Sequence, residues 1–389
     1  MKISCMTPTL FVREYADADI RTLALQRTRF SELSDEEWLF CLRQIHGRQL
    51  VRRKLPEIAA TEGWLYPAHI NIEQCSSELT AKYKRGLLQN TGVHTLVDLT
   101  GGFGVDCLYM GQVVRETHYV ERNGELCRLM EHNARLLNSH ITVHHTDAES
   151  FLQDKEFLSG HPAEKVLVYA DPSRRSESGG KVFLIQDCDP DISRLMPIIR
   201  QCAERLMLKL SPMLDITAAW CSLGCTGATY VVAVAGEVKE VLLCMPGEPV
   251  ITAIDLKYGI SVCFTREEEH NAVCGFAERV MNYLYEPNAA LLKAGADKLI
   301  GEKWNVMKTD ANSRFYTSDE YLANFPGRVF RVTGDKPSRG VKYNIISRNY
   351  PLTPDEIRRK WHIKEGDGSY VIGLRLNGNP QILVCERLL

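Results

Sequence analysis

Residues 95–121 read TLVDLTGGFGVDCLYMGQVVRETHYVE, a pattern that joins a strand, a glycine-rich turn, a helix and a second strand. A short apolar run predicts the first strand, and apolar residues at helical spacing after the turn predict the helix. Gly101, Gly102 and Gly104 permit a tight turn, and a side chain at Gly102 or Gly104 would keep backbone amides away from a ligand. The second strand ends on Glu121. The stretch therefore predicts a βαβ unit of an α/β domain.

The position of Glu121 indicates a nucleotide site. A carboxylate about 20 residues past a glycine-rich turn is where a nucleotide-binding βαβ unit holds the two ribose hydroxyls. Such a turn alone is equally consistent with an ordinary α/β connection. The dinucleotide fingerprint G-x-G-x-x-G is not completed, because Cys107 stands in the place of its third glycine.

Acidic residues close four successive strands of the predicted sheet. Asp98 and Glu121 end the first two, and Asp147 and Asp171 follow the next two strand-like runs. Because a doubly wound parallel sheet binds ligands outside the carboxyl ends of its strands, these four residues converge on one cleft. The sequence therefore predicts a doubly wound, Rossmann-like α/β sheet with its site at this edge.

Residues 98–104, Asp-Leu-Thr-Gly-Gly-Phe-Gly, resemble the first motif of class I S-adenosylmethionine-dependent methyltransferases. In this resemblance Glu121 matches the ribose-binding acid, and Asp147 matches the residue that hydrogen-bonds the adenine amine. Thr100 departs from the pattern, since many members have glycine there. The implied cofactor is S-adenosylmethionine. The implied cofactor-binding residues are Asp98, Thr100, Gly101, Gly102, Gly104, Glu121 and Asp147.

Longer segments resemble, more narrowly, a bacterial methyltransferase family with a C-terminal THUMP-like domain. The segments are 73–84, 98–106, 171–175 and 209–215. The resemblance covers nearly the whole chain and implies a methyltransferase sheet between an N-terminal helical region and a small α+β module. The implied domains are an N-terminal helical region at 1–75, a methyltransferase domain at 76–270, a ferredoxin-like segment at 275–322 and a THUMP-like domain at 323–389.

The segment after the fourth strand supplies the candidate catalytic residues, Asp171, Pro172 and Arg174. Methyl transfer is an in-line displacement, so the protein mainly aligns the acceptor and, for some acceptors, removes a proton. Enzymes that methylate base amines have Asn or Asp, two prolines and an aromatic residue here. In this chain Ser173 replaces the second proline and Arg174 the aromatic residue. Asp171 can accept a hydrogen bond from an amine, and the Arg174 guanidinium can stack on a base or hold a phosphate.

The candidate substrate-binding residues are Arg175, Lys209 and Asp215. Lys209 and Asp215 flank the loop after the fifth strand and either line the acceptor cleft or form a strand-end salt bridge. This loop contains no cysteine, the nucleophile that methylation at pyrimidine carbon-5 usually requires. The nearest cysteine on the other side, Cys188, is expected to be a buried structural residue.

The spacing of the cysteines and the lengths of the apolar runs indicate which cell compartment to expect for this protein. The 13 cysteines form no C-x-x-C pair, so neither a zinc site nor a disulfide framework is indicated, and a reducing cytoplasm is expected. No metal ligands are predicted. The N-terminal apolar run is too short for a secretory signal, and the longest apolar stretch, 228–235, is too short to span a bilayer.

The charge is unevenly distributed along the chain. The net charge is −2, but residues 323–389 contain 12 Lys and Arg against 6 Asp and Glu. A basic module on an acidic body favours a polyanionic partner such as tRNA or rRNA, and a solvated basic domain without a partner is equally consistent.

Three helices are predicted from apolar stripes. Ser34 and Glu37 form a capping box that opens the first helix. Its stripe comprises Trp38, Leu39, Leu42, Ile45 and Leu50. A helix after Ser76 has the stripe Leu79, Tyr83 and Leu87, and a helix after residue 275 has the stripe Phe276, Val280 and Leu284.

Two hairpins are also predicted. The first pairs residues 229–235 with 240–245, and residues 251–264 extend the same sheet. The second, near the C terminus, pairs 370–376 with 381–386 around Asn377-Gly378. An antiparallel pair at the end of a parallel sheet is how the methyltransferase fold closes.

Three functional hypotheses follow from the sequence. The first is an S-adenosylmethionine-dependent methyltransferase that modifies a base in structured RNA. The second is a methyltransferase with a protein or small-molecule acceptor, which an absence of salt-sensitive RNA binding would favour. The third is a non-catalytic RNA-binding or cofactor-sensing protein that retains the fold. A nicotinamide oxidoreductase is disfavoured by Cys107 and the closing hairpin.

Overall fold

The computed structural model describes residues 7–154, 157, 160–174 and 185–388. The chain divides into two compact units, each built from several segments. The first unit comprises residues 1–210, 217–225 and 243–246, and the second comprises 211–216, 226–242 and 247–389. Every helix in the described ranges is too short or too polar to cross a membrane.

Six α-helices precede the sheet in the residues described from 7 onward. They are α1 (Pro8–Glu14), α2 (Ile20–Ala24), α3 (Asp35–Val51), α4 (Pro56–Ala60), α5 (His69–Gln74) and α6 (Glu78–Leu88). The predicted capping box of α3 is confirmed, because the Ser34 hydroxyl accepts the N–H of Glu37 and the Glu37 carboxylate accepts the N–H of Ser34.

The buried faces of α3 and α6 differ from the predicted stripes. Trp38 and Ile45 are buried as expected, but Leu39 is 65% exposed because it lies one residue off their face. In α6 the buried row is Thr80, Lys84 and Leu88, one residue on from the predicted stripe. A buried lysine, which apolar periodicity cannot predict, occupies the centre of that row.

The large sheet has nine strands in the order β11-β10-β8-β9-β7-β4-β1-β2-β3. The last five strands in this order, from β7 to β3, are each parallel to their neighbours, and β1 lies between β2 and β4. They are β1 (Thr95–Asp98), β2 (Glu116–Glu121), β3 (Ile141–His145), β4 (Val166–Ala170) and β7 (Arg205–Leu210). The predicted doubly wound sheet is confirmed, and its strand order reverses between β1 and β4, where such sheets bind ligands.

The predicted hairpin and its extension are also confirmed. β8 (Ala228–Val234) and β9 (Glu237–Met245) are joined by a two-residue turn in which Ala235 and Gly236 both have positive φ. β10 (Val250–Asp255) pairs in parallel with β8, and β11 (Ile260–Thr265) pairs antiparallel with β10.

Helices and one short ribbon connect these strands. The helices are α7 (Val105–Gly111), α8 (Gly124–Leu136), α9 (Ala148–Leu152), α10 (Ile192–Cys202) and α11 (Ile216–Leu223). The ribbon pairs β5 (Ser173–Arg174) antiparallel with β6 (Cys188–Asp189). One core cluster of the first unit packs α6 residue Leu88 with Leu96, Met110, Leu167 and Met207.

The remainder of the chain contains a seven-stranded sheet in the order β13-β14-β12-β15-β18-β17-β16. Its strands are β12 (Tyr283–Pro287), β13 (Met307–Lys308), β14 (Tyr316–Ser318), β15 (Gly327–Gly334), β16 (Lys342–Ser347), β17 (Lys364–Leu376) and β18 (Asn379–Arg387). Its helices are α12 (Arg266–Asn271), α13 (Ala289–Ala294), α14 (Asp297–Lys303) and α15 (Pro354–Trp361). The predicted terminal hairpin is confirmed, with positive φ at Asn377 and Gly378.

The predicted helix through Phe276, Val280 and Leu284 is wrong. Leu284 lies in β12, between β14 and β15, and Phe276 is 51% exposed in an isolated bridge to Lys308. A spacing of four residues fits the period of two of a strand as well as the period of a helix, so this stripe did not distinguish them.

Two helical glycines provide a matched test of packing. A Cβ at Gly47 in α3 would lie 2.4 Å from Cβ of the buried Tyr66, whereas a Cβ at Gly86 in α6 would meet nothing within 4 Å. We expect Gly47→Ala to lower the free energy of unfolding by about 1–3 kcal/mol through overpacking. Gly86→Ala should raise it by about 0.5–1 kcal/mol, because alanine favours the helix. Thermal unfolding of both variants checks this, and shifts of the same sign would contradict it.

Candidate active site

The glycine-rich turn after β1 is packed against a buried tyrosine. A Cβ at Gly101 would lie 2.3 Å from the Tyr119 ring, and the Tyr119 hydroxyl donates to the Gly102 carbonyl at 2.6 Å. Gly102 and Gly104 have φ of +54° and +81°, which L-residues with side chains rarely adopt. A Cβ at Gly104 would lie 1.8 Å from Cε of Met130. Packing, rather than ligand access alone, therefore requires glycine at 101 and 104.

Gly102 is the glycine that faces free space. An added Cβ there would meet only the Thr100 carbonyl oxygen, at 3.7 Å. A ligand can therefore approach the turn at this residue.

Glu121 joins the end of β2 to this turn. Its Oε2 accepts the N–H of Gly102 at 2.9 Å, and its Oε1 accepts the N–H of Asn123 at 2.8 Å. A carboxylate has about four acceptor positions, so each oxygen retains one for a further donor. The predicted ribose-binding residue is thus oriented by the turn and can still accept two hydroxyl groups.

Thr100 connects the ends of β1 and β4. Asp98 Oδ1 accepts the Thr100 N–H at 3.0 Å and its hydroxyl at 3.4 Å, and Thr100 Oγ1 accepts the Asp171 N–H at 2.7 Å. Glycine, which many methyltransferases have at this position, could not form the two side-chain bonds. The departure from the family pattern therefore ties the first motif to the candidate catalytic segment.

Asp98 lies in a fully buried position among other acids. The pKa of Asp98 is raised to about 8, chiefly by burial. The charges of Asp106, Asp171 and Glu121 contribute to this rise, and the hydrogen bond from the Thr100 N–H opposes it. At neutral pH this side chain is therefore largely protonated.

Lys209, at the end of β7, contacts the Asp171 carboxylate. The distance from Lys209 Nζ to Asp171 Oδ2 is 2.5 Å, and Nζ also lies 3.1 Å from Ser76 Oγ and 3.8 Å from Asp106 Oδ2. The Asp171 side chain is 37% exposed, whereas Lys209 is nearly buried. The structure thus brings two sequence-predicted residues together, with the carboxylate towards solvent and the lysine behind it.

A buried network behind Lys209 contains residues that were not among the predicted site residues. Lys84 Nζ lies 3.2 Å from Asp106 Oδ1, and Asp106 Oδ2 accepts from Tyr169 at 2.6 Å and Ser76 at 2.7 Å. Burial raises the pKa of Asp106, but Lys84, Lys209 and these two hydrogen bonds lower it overall. The only sequence signal was that residues 73–84 and 98–106 belong to the segments that resemble the methyltransferase family.

Asp147 lies beside Glu121 but turns its side chain to its own helix. The Thr146 N–H donates to the Glu121 carbonyl at 3.2 Å. Asp147 caps α9, with Oδ1 accepting the Ser150 N–H at 2.9 Å and Oδ2 accepting the Ser150 hydroxyl at 2.8 Å. These hydrogen bonds lower the pKa of the exposed Asp147.

The other predicted residues fall in different surroundings. Pro172 is half-buried and leads into the β5–β6 ribbon, where Cys188 is buried as expected. The Arg174 side chain and all of Arg175 lie outside the described residues. Asp215 is exposed and belongs to the second unit, so the structure does not place it with the residues above.

Two family models match, a ferredoxin-like domain at residues 283–326 and a THUMP domain-like model at 326–387. The crystal structure of a candidate methyltransferase from Porphyromonas gingivalis W83 is 29% identical, covers 98% of each chain and has a TM-score of 0.82. The chain therefore has a class I methyltransferase fold with a C-terminal THUMP-like domain. The resemblance stated from the sequence is confirmed.

Two other solved methyltransferases match a smaller share of the chain. An Agrobacterium tumefaciens S-adenosylmethionine-dependent methyltransferase is 18% identical over 34% of this chain and 43% of that chain, with a TM-score of 0.26. A Thermus thermophilus 16S rRNA methyltransferase, in complex with AdoMet and guanosine, is 15% identical over 47% and 44%, with a TM-score of 0.32. A comparison with curated proteins gives no match.

The buried Asp98 makes stability depend on pH. Its folded-state pKa of about 8 exceeds the ordinary 3.8, so its contribution to stability is fully present below about pH 3.8 and is lost progressively as the pH rises from 3.8 to about 8. We expect the unfolding free energy of the wild type to fall relative to Asp98→Asn by about 1.4 kcal/mol per pH unit in this window. Urea unfolding at several pH values measures the difference. The exposed control Asp335→Asn retains Asp98, so its curve should run parallel to that of the wild type. Parallel curves for the wild type and Asp98→Asn would contradict the expectation.

Proposed function

We propose that this chain is an S-adenosylmethionine-dependent methyltransferase that modifies a base amine in structured RNA. The observation that carries the proposal is the position of Asp171. Its backbone is bound to the first motif through Thr100, and its partly exposed carboxylate is held by Lys209. An acceptor that reaches this carboxylate is therefore close to the turn that resembles the cofactor-binding motif.

The residues of the turn fit the cofactor. Open space at Gly102 admits a ligand to the backbone, and the remaining acceptor positions of Glu121 suit the two ribose hydroxyls. Asp147, at the adjoining end of β3, remains the predicted contact of the adenine amine. When bound, S-adenosylmethionine supplies the methyl group from its sulfonium.

The Asp171 carboxylate binds the amine of the acceptor base and then accepts its proton. Oδ2 faces Lys209, which leaves Oδ1 to accept an N–H of the base amine. As the new C–N bond forms and the C–S bond breaks, the amine nitrogen gains positive charge, which the nearby carboxylate stabilises. Asp171, directly or through water, then accepts the proton that the nitrogen releases. Lys209 acts as a positioning residue, since it contacts the carboxylate rather than the acceptor.

The THUMP-like domain supports RNA as the acceptor. Lys342 and Lys364 are register partners at the start of β16 and β17, and both are exposed. Neighbouring like charges on adjacent strands repel, and a bound phosphate relieves this repulsion. The excess of basic residues in 323–389 adds the long-range attraction that a polyanion requires.

Methyl transfer tests the catalytic part of the proposal. We expect the wild type to transfer labelled methyl groups from S-adenosylmethionine to bacterial RNA, and Asp171→Asn to reduce the rate by about 100-fold or more. Binding of S-adenosylmethionine, measured by calorimetry with NAD as the comparison ligand, should be retained in Asp171→Asn. Asp335→Asn is the matched surface control. Label in protein or small molecules instead of RNA would contradict the RNA assignment, and cofactor binding without any transfer would contradict catalysis.

RNA binding tests the THUMP-like part separately. The double variant Lys342→Gln, Lys364→Gln should weaken RNA binding at low salt and reduce the slope of log K against log salt concentration by about 2, because each lysine neutralises about one phosphate. The double variant Lys257→Gln, Lys303→Gln removes the same charge from exposed positions outside this domain and should change the slope little. Equal slopes for the two double variants would contradict a phosphate contact at Lys342 and Lys364.

A further inference from the structure

A cluster of histidines lies at the start of β2, the opposite end from Glu121. Glu116 and His118 are two residues apart on β2 and so share one face. They meet His161, which follows β3 in the chain. The ligating atoms of Glu116, His118 and His161 all lie within 4.8 Å of one another. None of the three belongs to the candidate active site.

The hydrogen bonds of His161 determine where its proton is. Nδ1 of His161 lies 3.0 Å from the Phe157 carbonyl oxygen, which can only accept, so Nδ1 carries the hydrogen. In a neutral imidazole, Nε2 then has a lone pair. This lone pair faces Oε2 of Glu116 at 3.0 Å. Two acceptors then face each other, and the contact requires a positive charge between them, which either a proton or a metal ion can supply.

His118 presents a second ring nitrogen to the same carboxylate. Its Nδ1 lies 2.9 Å from Nε2 of His144, so these two rings share one hydrogen bond. Its Nε2 lies 3.1 Å from Oε1 of Glu116, yet it is buried and has no hydrogen-bond partner in the described part of the chain. The His118 side chain is only 7% exposed, so water does not readily satisfy this nitrogen.

We propose that Glu116, His118 and His161 bind a zinc ion. Two imidazole nitrogens and a carboxylate are a common donor set for zinc, whose fourth position is taken by water or another ligand. The ion supplies the positive charge that the facing lone pairs lack. His144 then acts through His118, because its hydrogen bond to Nδ1 orients the His118 ring towards the metal.

The surroundings favour a permanent rather than a transient ion. Phe151 lies 4.8 Å from the His144 ring and Phe157 lies 4.5 Å from the His161 ring, between ring centroids, so aromatic groups cover the histidine side of the cluster. An apolar shell limits solvent access and strengthens the attraction between ion and ligands. Bound zinc would fix the beginning of β2 to the segment at His161, which is a structural role.

Zinc binding to the full chain tests the proposal. After chelator treatment and dialysis, calorimetry should find one tight zinc site per wild-type chain. His144→Gln should weaken binding by about 10- to 100-fold, as loss of an outer-shell partner does, and His161→Gln should weaken it by more than that. His270→Gln removes an exposed histidine of the second unit and should bind zinc like the wild type.

A second variant and a spectroscopic measurement keep the test independent of folding. Glu116→Gln is isosteric and half-exposed, so it serves if His161→Gln fails to fold, which circular dichroism in chelator would reveal. Cobalt in place of zinc should give a tetrahedral visible spectrum without thiolate charge-transfer bands, and this spectrum should be lost in Glu116→Gln. The proposal is overturned if the wild type takes up no zinc, if folded ligand variants keep wild-type affinity, or if cobalt reports cysteine ligands.

Discussion

The buried carboxylate of Asp106 is the constraint on which the candidate active site depends. Its charge cannot be removed from water without partners, and Lys84, Lys209 and Tyr169 supply them from α6, β7 and β4. Three elements of the first unit are therefore fixed around one residue of α7. Lys209 is in turn held where it can contact Asp171. The partly exposed carboxylate of Asp171 is thus oriented, through Lys209, by the buried carboxylate of Asp106.

The sequence predicted those parts of the structure that local patterns encode. The strands, the glycine-rich turn and the acids at the strand ends were located correctly, because apolar runs and turn residues act over short distances. The row of α6 that contains Lys84 was displaced by one residue, because hydrophobic periodicity treats lysine as a solvent-facing residue. The stripe ending at Leu284 was assigned to a helix, although strand pairing buries it. In both cases contacts with residues distant in the sequence determined which face was buried or which element formed.

The site was predictable to a similar extent. The sequence placed the candidate residues Asp98, Glu121 and Asp171 at strand ends, but it could not show that Thr100 links two of them by hydrogen bonds. Nor could it bring together Glu116 and His161, which lie 45 residues apart in the chain. The spacing of cysteines carries no signal of that cluster, because its proposed ligands are histidine and glutamate. Contacts of this kind arise only when the sheet forms.

The charge balance of the buried network has a consequence for evolution. Lys84 and Lys209 offset Asp106 and Asp171, so a neutral replacement of one member leaves an opposite charge without its counterpart in a poorly solvated place. Such a change is tolerated when a second member changes with it. Among relatives that share this fold, the residues at these four positions should therefore be kept or replaced together. Their pairing should then be visible as covariation between positions, even where no single position is constant.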